Sequence, residues 1–398
     1  MMLDKATLDF LRQHWDDDPL KLLLQQSRYP GVDVRLAAQQ IEGRQQARQK
    51  WPSLWEKDDF LYPPKLNREQ SSSEKAAKHK AAIISHLGVV SPTLADLTGG
   101  MGIDSLFFAQ ECLKVDYVER DAMLVETMRE NVKALGCDNL ACHHADGMEW
   151  VSEHYDILYL DPARRDENGH KVKAFESCEP NILLHLDLLK SHCRYLVVKA
   201  SPMIDIDLAL SQLRDVKEVH IVAVDGECKE VLFVMDFAQE MAKEALFHCV
   251  DIRPGHTCHN SFTREEENDA LVSVASSPKR YLYEPHAALM KGGAYKLICR
   301  WYGMEKLARN THLYTSDTLV DDFPGRVFEI LEEVSLSAKE LKKILPDGRC
   351  HLLCKNYPVT TAQLQKKLRL SEGGTHHLIA TRLGERPTAF LCRHKITE

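Results

Sequence analysis

The chain has 398 residues, 44% of them hydrophobic and 28% charged, and carries a formal net charge of −8. This length exceeds one ordinary domain, and the composition is that of a globular protein. No apolar run approaches the ~18 residues of a membrane span, and the start of the chain lacks the pattern of a signal peptide. The twelve cysteines follow no disulfide framework, so we expect reduced thiols and a cytoplasmic protein.

Residues 1–90 are predicted to be helical. Ser71 and Glu74 have the spacing of a capping box, which predicts a helix from there to about Leu87. This helix carries Lys80 and leads directly into the stretch that organises the rest of the chain.

The stretch from Leu94 to Asp104 predicts a buried strand, a glycine turn and the start of a helix. Three glycines in such a turn allow unusual backbone angles and a close approach of a ligand to the backbone. A turn that leads into a helix N-terminus is a common cradle for nucleotide-like ligands. The spacing differs from the G-x-G-x-x-G of dinucleotide enzymes and from the P-loop, and an acidic residue, Asp96, ends the strand.

From Pro92 onward, predicted strands and helices alternate as they do in a doubly wound sheet. Acidic residues follow successive strands: Glu119 lies twenty residues past Gly99, and Asp146-Gly147 follows the third strand. The fourth strand ends in Asp161-Pro162. The last two strands, Glu218 to Val224 and Glu230 to Phe237, join directly and predict an antiparallel hairpin.

Together these features resemble the class I methyltransferases, which use S-adenosylmethionine (SAM). The run of a strand, Asp96 and a glycine turn resembles motif I of that family, and Asp161-Pro162 resembles motif IV. The resemblance implies a Rossmann-like sheet with an antiparallel final strand. It also implies a set of SAM-binding residues. These are Asp96, Thr98, Gly99, Gly100, Gly102, Glu119, Asp146 and Gly147.

The catalytic residues implied by the resemblance lie around motif IV. Asp161, Pro162 and Arg164 form this motif. Lys80, Asp161, Lys199 and Glu230 also resemble, in chain order and strand placement, the Lys-Asp-Lys-Glu tetrad of ribose 2′-O-methyltransferases. In that tetrad, one lysine helps to deprotonate the 2′-hydroxyl. The other interpretation is that Lys199 and Glu230 are ordinary charges at strand ends.

Two departures from the motifs of related methyltransferases narrow the range of reactions that we expect. Enzymes that methylate amino groups usually have an aromatic residue where this chain has Arg164. Pyrimidine C5 methyltransferases need a cysteine nucleophile after the fourth or fifth strand, and Cys178 and Cys193 occupy neither position. We therefore expect direct methyl transfer without a cysteine adduct.

The C-terminal part is predicted to start with a polar link, residues 241–270. Its histidines and cysteines do not have the spacing of a zinc site, so we expect no metal. Residues 271–320 resemble a ferredoxin-like unit with one long helix from about Pro285 to Tyr302. Residues 321–398 resemble THUMP-like RNA-binding modules in the order of their elements.

Charge is concentrated in this last module. Residues 336–398 carry 12 Lys and Arg and 5 Asp and Glu, a net charge of +7, whereas the other 335 residues carry 39 and 54, a net charge of −15. A basic module on an acidic body predicts an anionic partner such as RNA, although a solvated charged face has the same composition. The candidate RNA-binding residues are Lys342, Lys343, Lys366, Lys367, Arg369 and Arg382.

The predicted organisation is thus an N-terminal helical region (1–90), a methyltransferase domain (91–240), a link, and two α+β segments. The predicted function is SAM-dependent methylation of RNA. A methyltransferase for a small molecule or a protein, a nicotinamide-dependent oxidoreductase, and a non-catalytic RNA-binding protein with a SAM fold remain alternatives. The glycine spacing and the terminal hairpin argue against the oxidoreductase.

Overall fold

The structure is a computed structural model that describes residues 3–164, 175–238 and 244–395. The chain divides into two compact units. The first comprises Met1–Val219 and Glu230–Lys243, and the second comprises His220–Lys229 and Glu244–Glu398. No helix in the described ranges is long and apolar enough to cross a membrane.

The first unit begins with helices, as the sequence predicts. They are α1 Lys5–His14, α2 Pro19–Leu24, α3 Val34–Lys50, α4 Pro52–Trp55, α5 Lys65–Gln70 and α6 Glu74–His86. The cap of α6 differs from the prediction, because Ser73 and not Ser71 accepts the hydrogen bond from the Ala76 backbone N–H. Ser71 instead donates to the Arg68 carbonyl oxygen, and the Glu74 carboxylate binds Lys78 and the Ser53 N–H.

Strands and helices then alternate through the rest of this unit. The strands are β1 Thr93–Asp96, β2 Lys114–Glu119, β3 Leu140–His144, β4 Tyr155–Leu160, β5 Ala163–Arg164, β6 Cys178–Glu179, β7 Cys193–Ala200, β8 Val216–Val224 and β9 Glu227–Asp236. The helices are α7 Ile103–Phe108, α8 Ala122–Leu135, α9 Gly147–Trp150, α10 Ile182–His192 and α11 Ile206–Leu213. Helix α8 matches its prediction closely: Asp121 caps its start and Gly136, with a φ of 63°, ends it.

The main sheet of this unit has the strand order β8-β9-β7-β4-β1-β2-β3. Strand β1 is parallel to both β2 and β4, β2 is parallel to β3, and β4 is parallel to β7. Strand β9 is antiparallel to β7, with Lys199 opposite Leu232. This is the sheet that the resemblance to class I methyltransferases implies, and its parallel strands bring their carboxyl ends to one edge.

The second unit contains nine further strands and five helices. The strands are β10 Leu246–Arg253, β11 His256–Phe262, β12 Tyr281–Pro285, β13 Glu305–Ala308, β14 Thr311–Ser316, β15 Gly325–Glu333, β16 His351–Cys354, β17 His376–Leu383 and β18 Arg386–Lys395. The helices are α12 Arg264–Asp269, α13 Ala287–Gly292, α14 Leu297–Tyr302, α15 Ala338–Ile344 and α16 Thr361–Leu368.

The predicted link at 241–270 is wrong over most of its length, because β10 and β11 pair there as an antiparallel hairpin. Phe247, Cys249, Val250 and Phe262 are buried, whereas β11 is polar up to Phe262 and mostly exposed or half-buried. The polar sequence of β11 therefore hides the hairpin. The N–H of Asp225, at the tip of the β8–β9 turn, donates to the Ile252 carbonyl oxygen at 3.0 Å.

One seven-stranded sheet, ordered β13-β14-β12-β15-β18-β17-β16, runs through the remainder of the second unit. The predicted long helix from Pro285 to Tyr302 is wrong, because it is two short helices. The break occurs where Gly293 adopts a left-handed conformation (φ 85°) at the end of α13. Strand β13 was not predicted.

Helices α15 and α16 cover one face of this sheet. Leu341 and Leu364 from the helices pack in one core cluster with Leu352, Leu378 and Leu391 from β16, β17 and β18. Alternation along these strands places the residues next to them in sequence on the opposite face.

Candidate active site

The glycine turn between β1 and α7 is held by contacts that only glycine permits. A Cβ on Gly99 would lie 2.2 Å from the Tyr117 ring, and one on Gly102 would lie 2.4 Å from Met128 Sδ. Gly147 passes equally close to the Leu97 carbonyl oxygen, 2.2 Å from where its Cβ would be. The turn, β2, α8 and the start of α9 are therefore packed against one another at the carboxyl edge.

Gly100 differs from its neighbours. It has a left-handed φ of 55°, and among the described residues only the Thr98 carbonyl oxygen, at 3.8 Å, lies within 4 Å of where its Cβ would be. The part of the chain that the structure describes therefore leaves the space beside Gly100 open. The N–H groups of the turn already donate within the protein, for example from Gly99 to the Val118 carbonyl oxygen. The carboxylate of Glu119 can accept hydrogen bonds from ligand hydroxyls, which fits the ribose of a nucleoside ligand.

Glu119 ends β2 and stabilises this turn. Its carboxylate accepts hydrogen bonds from the Gly100 N–H and the Asp121 N–H, both at 2.8 Å. Each oxygen keeps a second lone pair for a ligand hydroxyl. Asp146, which is exposed, caps α9 through the Met148 N–H at 2.8 Å.

Asp96 lies under the turn and is fully buried. Ser105 Oγ donates to its carboxylate at 2.6 Å, and the Thr98 N–H donates at 3.1 Å. Burial raises the pKa of Asp96 to about 7, and the negative charges of Asp104 and Asp161 add to this shift.

The turn is tied directly to the loop after β4. The Asp161 N–H donates to Thr98 Oγ1 at 2.6 Å, so the residue that ends β4 is fixed to the turn that ends β1. The Asp161 side chain is 36% exposed, and Lys199 Nζ donates to its carboxylate at 2.5 Å. Pro162 is buried.

Lys80 and Glu230 form a second ion pair deeper in the same unit. Lys80 Nζ donates to both Glu230 oxygens, at 2.7 and 2.8 Å, and the two side chains are almost fully buried. The structure therefore brings the four residues of the predicted tetrad into one cluster as two pairs, Lys80–Glu230 and Lys199–Asp161.

Asp104 joins these pairs, and the sequence reasoning gave it no role. Its carboxylate lies 3.3 Å from Lys80 Nζ and accepts hydrogen bonds from Ser72 (3.0 Å) and Tyr159 (2.8 Å). Although burial opposes ionisation, Lys80, Lys199 and the two hydroxyls hold the pKa of Asp104 below its usual range. Its position in the first turn of α7, next to the glycine turn, was the available signal.

The charge on Lys199 follows from these neighbours. Burial alone would lower the pKa of Lys199, but the carboxylates of Asp161, Asp104 and Glu230 outweigh burial and raise it above the ordinary value. Lys199 therefore stays protonated at neutral pH, and it acts as a fixed cation beside Asp161.

The other predicted residues are placed as follows. Arg164 forms part of the short β5–β6 ribbon opposite Cys178, and its side chain lies outside the described residues. Cys178 and Cys193 are buried, and burial raises the pKa of the Cys193 thiol to about 12. A buried, protonated thiol is a poor nucleophile.

The predicted RNA-binding residues are spread over two helices and a strand of the second unit. Lys342 and Lys343 lie in the last turn of α15, and Lys366 and Lys367 lie in the last turn of α16. These four lysines and Arg369 are exposed, and none forms an ion pair with another described residue. Arg382 is half-buried and donates to the Glu385 carbonyl oxygen.

Comparison with known proteins agrees with this architecture. A solved structure of a candidate methyltransferase from Porphyromonas gingivalis W83 is similar over 100% of both chains, with 28% sequence identity and a TM-score of 0.87. A family model described as a ferredoxin-like domain matches residues 281–324, and one described as THUMP domain-like matches residues 325–394. The chain has a class I methyltransferase fold with a THUMP-like C-terminal segment.

A second relative of this methyltransferase-fold protein is the 23S rRNA (uracil(1939)-C(5))-methyltransferase RlmD of Aeromonas salmonicida (strain A449). The two are 35% identical over 100 residues, which is 21% of this chain and 23% of the relative. The match thus spans about a quarter of the length of this relative. This chain also has a lower similarity, with a TM-score of 0.31 and 15% identity, to the T. thermophilus 16S rRNA N2 G1207 methyltransferase RsmC, solved with AdoMet and guanosine. The similarity covers 42% of this chain and 43% of the other.

Proposed function

We propose that this protein is a SAM-dependent methyltransferase that acts on RNA. The observation that carries the proposal is the hydrogen bond from the Asp161 N–H to Thr98 Oγ1. It fixes a partly exposed carboxylate beside an open glycine turn, so a methyl donor and an acceptor can meet at one edge of the sheet. Such transfer depends mostly on positioning.

The cofactor is expected to lie along the carboxyl ends of β1, β2 and β3. SAM supplies a methyl group bonded to a positively charged sulfur. Glu119 would accept hydrogen bonds from its ribose, the Gly99–Gly100 backbone would face its methionine part, and Asp146 would contact its base. The open space at Gly100 supports this assignment, because any side chain there would project into it.

Asp161 is assigned as the group that accepts the proton that the methyl acceptor loses. It is the partly exposed carboxylate of the cluster, whereas Lys80 and Glu230 are buried in a pair of their own. Because the pKa of Lys199 is raised, this lysine is unsuited to remove a proton from a 2′-hydroxyl. Lys199 is instead assigned to hold the Asp161 carboxylate in place.

RNA is the proposed acceptor because the five exposed cations near the ends of α15 and α16 have no carboxylate partners among the described residues. The relative RlmD acts on 23S rRNA, which supports the same class of substrate. With the two cysteines buried, transfer is expected to be direct, without a covalent adduct. The twelve cysteines form no disulfide among the described residues, which also supports a cytoplasmic location.

Two assays test this function. Calorimetry is expected to show SAM binding that Glu119→Ala weakens by about 1.5–3 kcal/mol, the value of hydrogen bonds to a charged acceptor. Labelled SAM is expected to transfer its methyl group to cellular RNA with the wild type and not with Asp161→Asn. Unchanged SAM affinity in Glu119→Ala contradicts the cofactor site, and label in protein or small molecules alone contradicts RNA as the substrate.

A further inference from the structure

Asp104 joins four segments of the first unit through buried contacts. It lies in the first turn of α7, two residues after Gly102, and is 9% exposed. One carboxylate oxygen, Oδ2, accepts hydrogen bonds from the Ser72 hydroxyl, before α6, and from the Tyr159 hydroxyl, on β4. The other oxygen, Oδ1, lies 3.3 Å from Lys80 Nζ on α6. Asp104 thus connects the N-terminal helical region to the helix of the glycine turn and to β4.

The Oδ1 oxygen of Asp104 acts through its charge and not through a hydrogen bond. Lys80 Nζ already donates to Ser72 Oγ at 3.0 Å and to both Glu230 oxygens. An ammonium group has three N–H donors, so these contacts use all of them. Accordingly, this buried oxygen has no hydrogen-bond partner among the described residues. Because Glu230 balances the charge of Lys80, the charge of Asp104 can balance that of the second lysine of the cluster, Lys199.

Lys199 benefits from a second carboxylate in addition to Asp161. The Lys199 side chain is 11% exposed, whereas that of Asp161 is 36% exposed, so water screens the Asp161 charge more than it screens a buried charge. Burial lowers the pKa of Lys199, but the charge of Asp161, followed by that of Asp104, raises it above the ordinary value. Although burial opposes it, Lys80 and then Lys199 lower the pKa of Asp104. Asp104 and Lys199 therefore stabilise each other's charge.

We propose that Asp104 is a positioning residue for the methyl transfer. Its charge holds the Lys199 ammonium where that group binds Asp161, and its contacts with Ser72 and Tyr159 fix this arrangement to the helix of the glycine turn. The proposal rests on the methyltransferase function proposed above, which assigns Asp104 no contact with SAM or RNA. The other interpretation, a buried charge that only stabilises the fold, predicts no effect on the reaction rate of the folded protein.

Asp104→Asn in the full-length protein tests this role, because the amide removes the charge and keeps the shape of the side chain and an acceptor oxygen. The kcat per SAM-binding site is expected to fall by about tenfold or more, since misplaced groups slow a reaction that depends on positioning. The dissociation constant of SAM and the KM for RNA are expected to stay unchanged. Tyr159→Phe removes one hydrogen bond and keeps the charge, so its kcat is expected to lie between those of the wild type and Asp104→Asn.

Asp116→Asn is the matched control, because Asp116 is another buried aspartate on the same sheet. It is 1% exposed, accepts a hydrogen bond from the Tyr155 hydroxyl at 2.9 Å and pairs with Lys114 at 2.7 Å. Asp116 lies in the first half of β2 and Tyr155 begins β4, so these groups lie towards the amino ends of the strands, away from Asp161. This variant is expected to lose stability and to keep its kcat.

A second measurement does not depend on methyl transfer. An acetylating ester reacts with the neutral form of a lysine, and mass spectrometry of peptides gives the rate at Lys199 relative to the exposed Lys366. Asp104→Asn is expected to speed the labelling of Lys199 by about fivefold or more at a fixed pH, since a nearby opposite charge favours the charged form. Asp116→Asn is expected to leave this rate unchanged.

An unchanged kcat per SAM-binding site in Asp104→Asn overturns the positioning role, and so does an equal loss of kcat in Asp116→Asn. If the wild type transfers no methyl group to RNA, the proposed function fails, and the labelling decides on its own. Faster labelling of Lys199 in Asp104→Asn alone then supports the hold of Asp104 on Lys199, and an equal rate in both variants overturns it.

Discussion

Asp96 shows how a residue implied by a motif acquires a property that only the fold reveals. The sequence places it at the end of a strand, but its pKa of about 7 results from complete burial beside Asp104 and Asp161. A carboxyl whose pKa is raised in the folded state binds its proton more tightly there than in the unfolded chain. It therefore stabilises the fold below pH 4, and this stabilisation is lost as the pH rises from about 4 to 7.

Asp96→Asn tests this coupling. The amide cannot ionise, so the variant is expected to gain stability relative to the wild type by about 2–3 kcal/mol between pH 5 and pH 8. Urea unfolding at both pH values measures the difference. A free-energy difference between variant and wild type that does not change with pH contradicts the raised pKa.

Lys199 is the residue whose interpretation the structure changes most. The sequence supports either a lysine base or an ordinary ion pair, and the three carboxylates around it favour a permanently charged lysine. Lys199→Ala is expected to lower kcat by about 10- to 100-fold through misplacement of Asp161, with SAM affinity unchanged.

Lys199→Arg separates the two roles. An arginine keeps the charge but cannot act as a base, so a positioning role predicts substantial recovery of kcat. Loss of activity in Lys199→Arg as complete as in Lys199→Ala, with the structure intact, would favour the lysine base.

At the scale of elements, the sequence predicted the first unit well and the second unit less well. Helix α8 has both a cap residue and a terminal glycine, and β4 and β7 contain the apolar runs 157–160 and 195–198, so local signals agree with the fold. Strand β11 of the β10–β11 hairpin is polar up to Phe262, and the hairpin carries five histidines and cysteines, which hid its pattern. Its strand character comes from burial of Phe247, Cys249 and Phe262, which is a tertiary effect.

The residues of the candidate site divide in the same way, into those that the sequence located and those that only the fold brings together. Motif spacing located the glycine turn, Glu119, Asp161 and the paired lysines, because parallel strands bring their ends together in any such sheet. It gave no role to Asp104, Ser72 and Tyr159, since their meeting depends on how α6 and α7 pack. No spacing rule connects a residue before α6 to one in β4.

The exposed cations at the C-terminal ends of α15 and α16 are the basis of the prediction about RNA affinity. Replacing Lys366, Lys367 and Arg369 together by alanine removes three exposed cations. RNA binding is expected to weaken and its dependence on log salt concentration to flatten by about 2–3 units of slope, because fewer counterions are released. SAM affinity is expected to stay constant. An unchanged slope, measured by titration at several salt concentrations, contradicts phosphate contacts at α16.

For the whole molecule, the predicted ferredoxin-like and THUMP-like segments agree with the ranges that the two family models match, residues 281–324 and 325–394, but the sequence did not predict that they share a sheet. Strand β12 of the first segment pairs with β15 of the second, so one sheet runs through both. Likewise, the expected boundary at residue 90 falls inside the first unit. Pairing between distant strands leaves no local signal, so motif reasoning did not predict the shared sheet.

The central claim is that this protein methylates RNA and that Asp161 is required for the reaction. Nucleoside mass spectrometry tests it most directly, with RNA from three cell lines: wild type, a deletion, and the deletion complemented with Asp161→Asn. The account predicts one methylated nucleoside that is present in the wild type, absent in the deletion, and not restored by the variant. Its mass shift and fragmentation also show whether base or ribose is methylated. Identical methylated nucleosides in all three RNAs would contradict the proposed function.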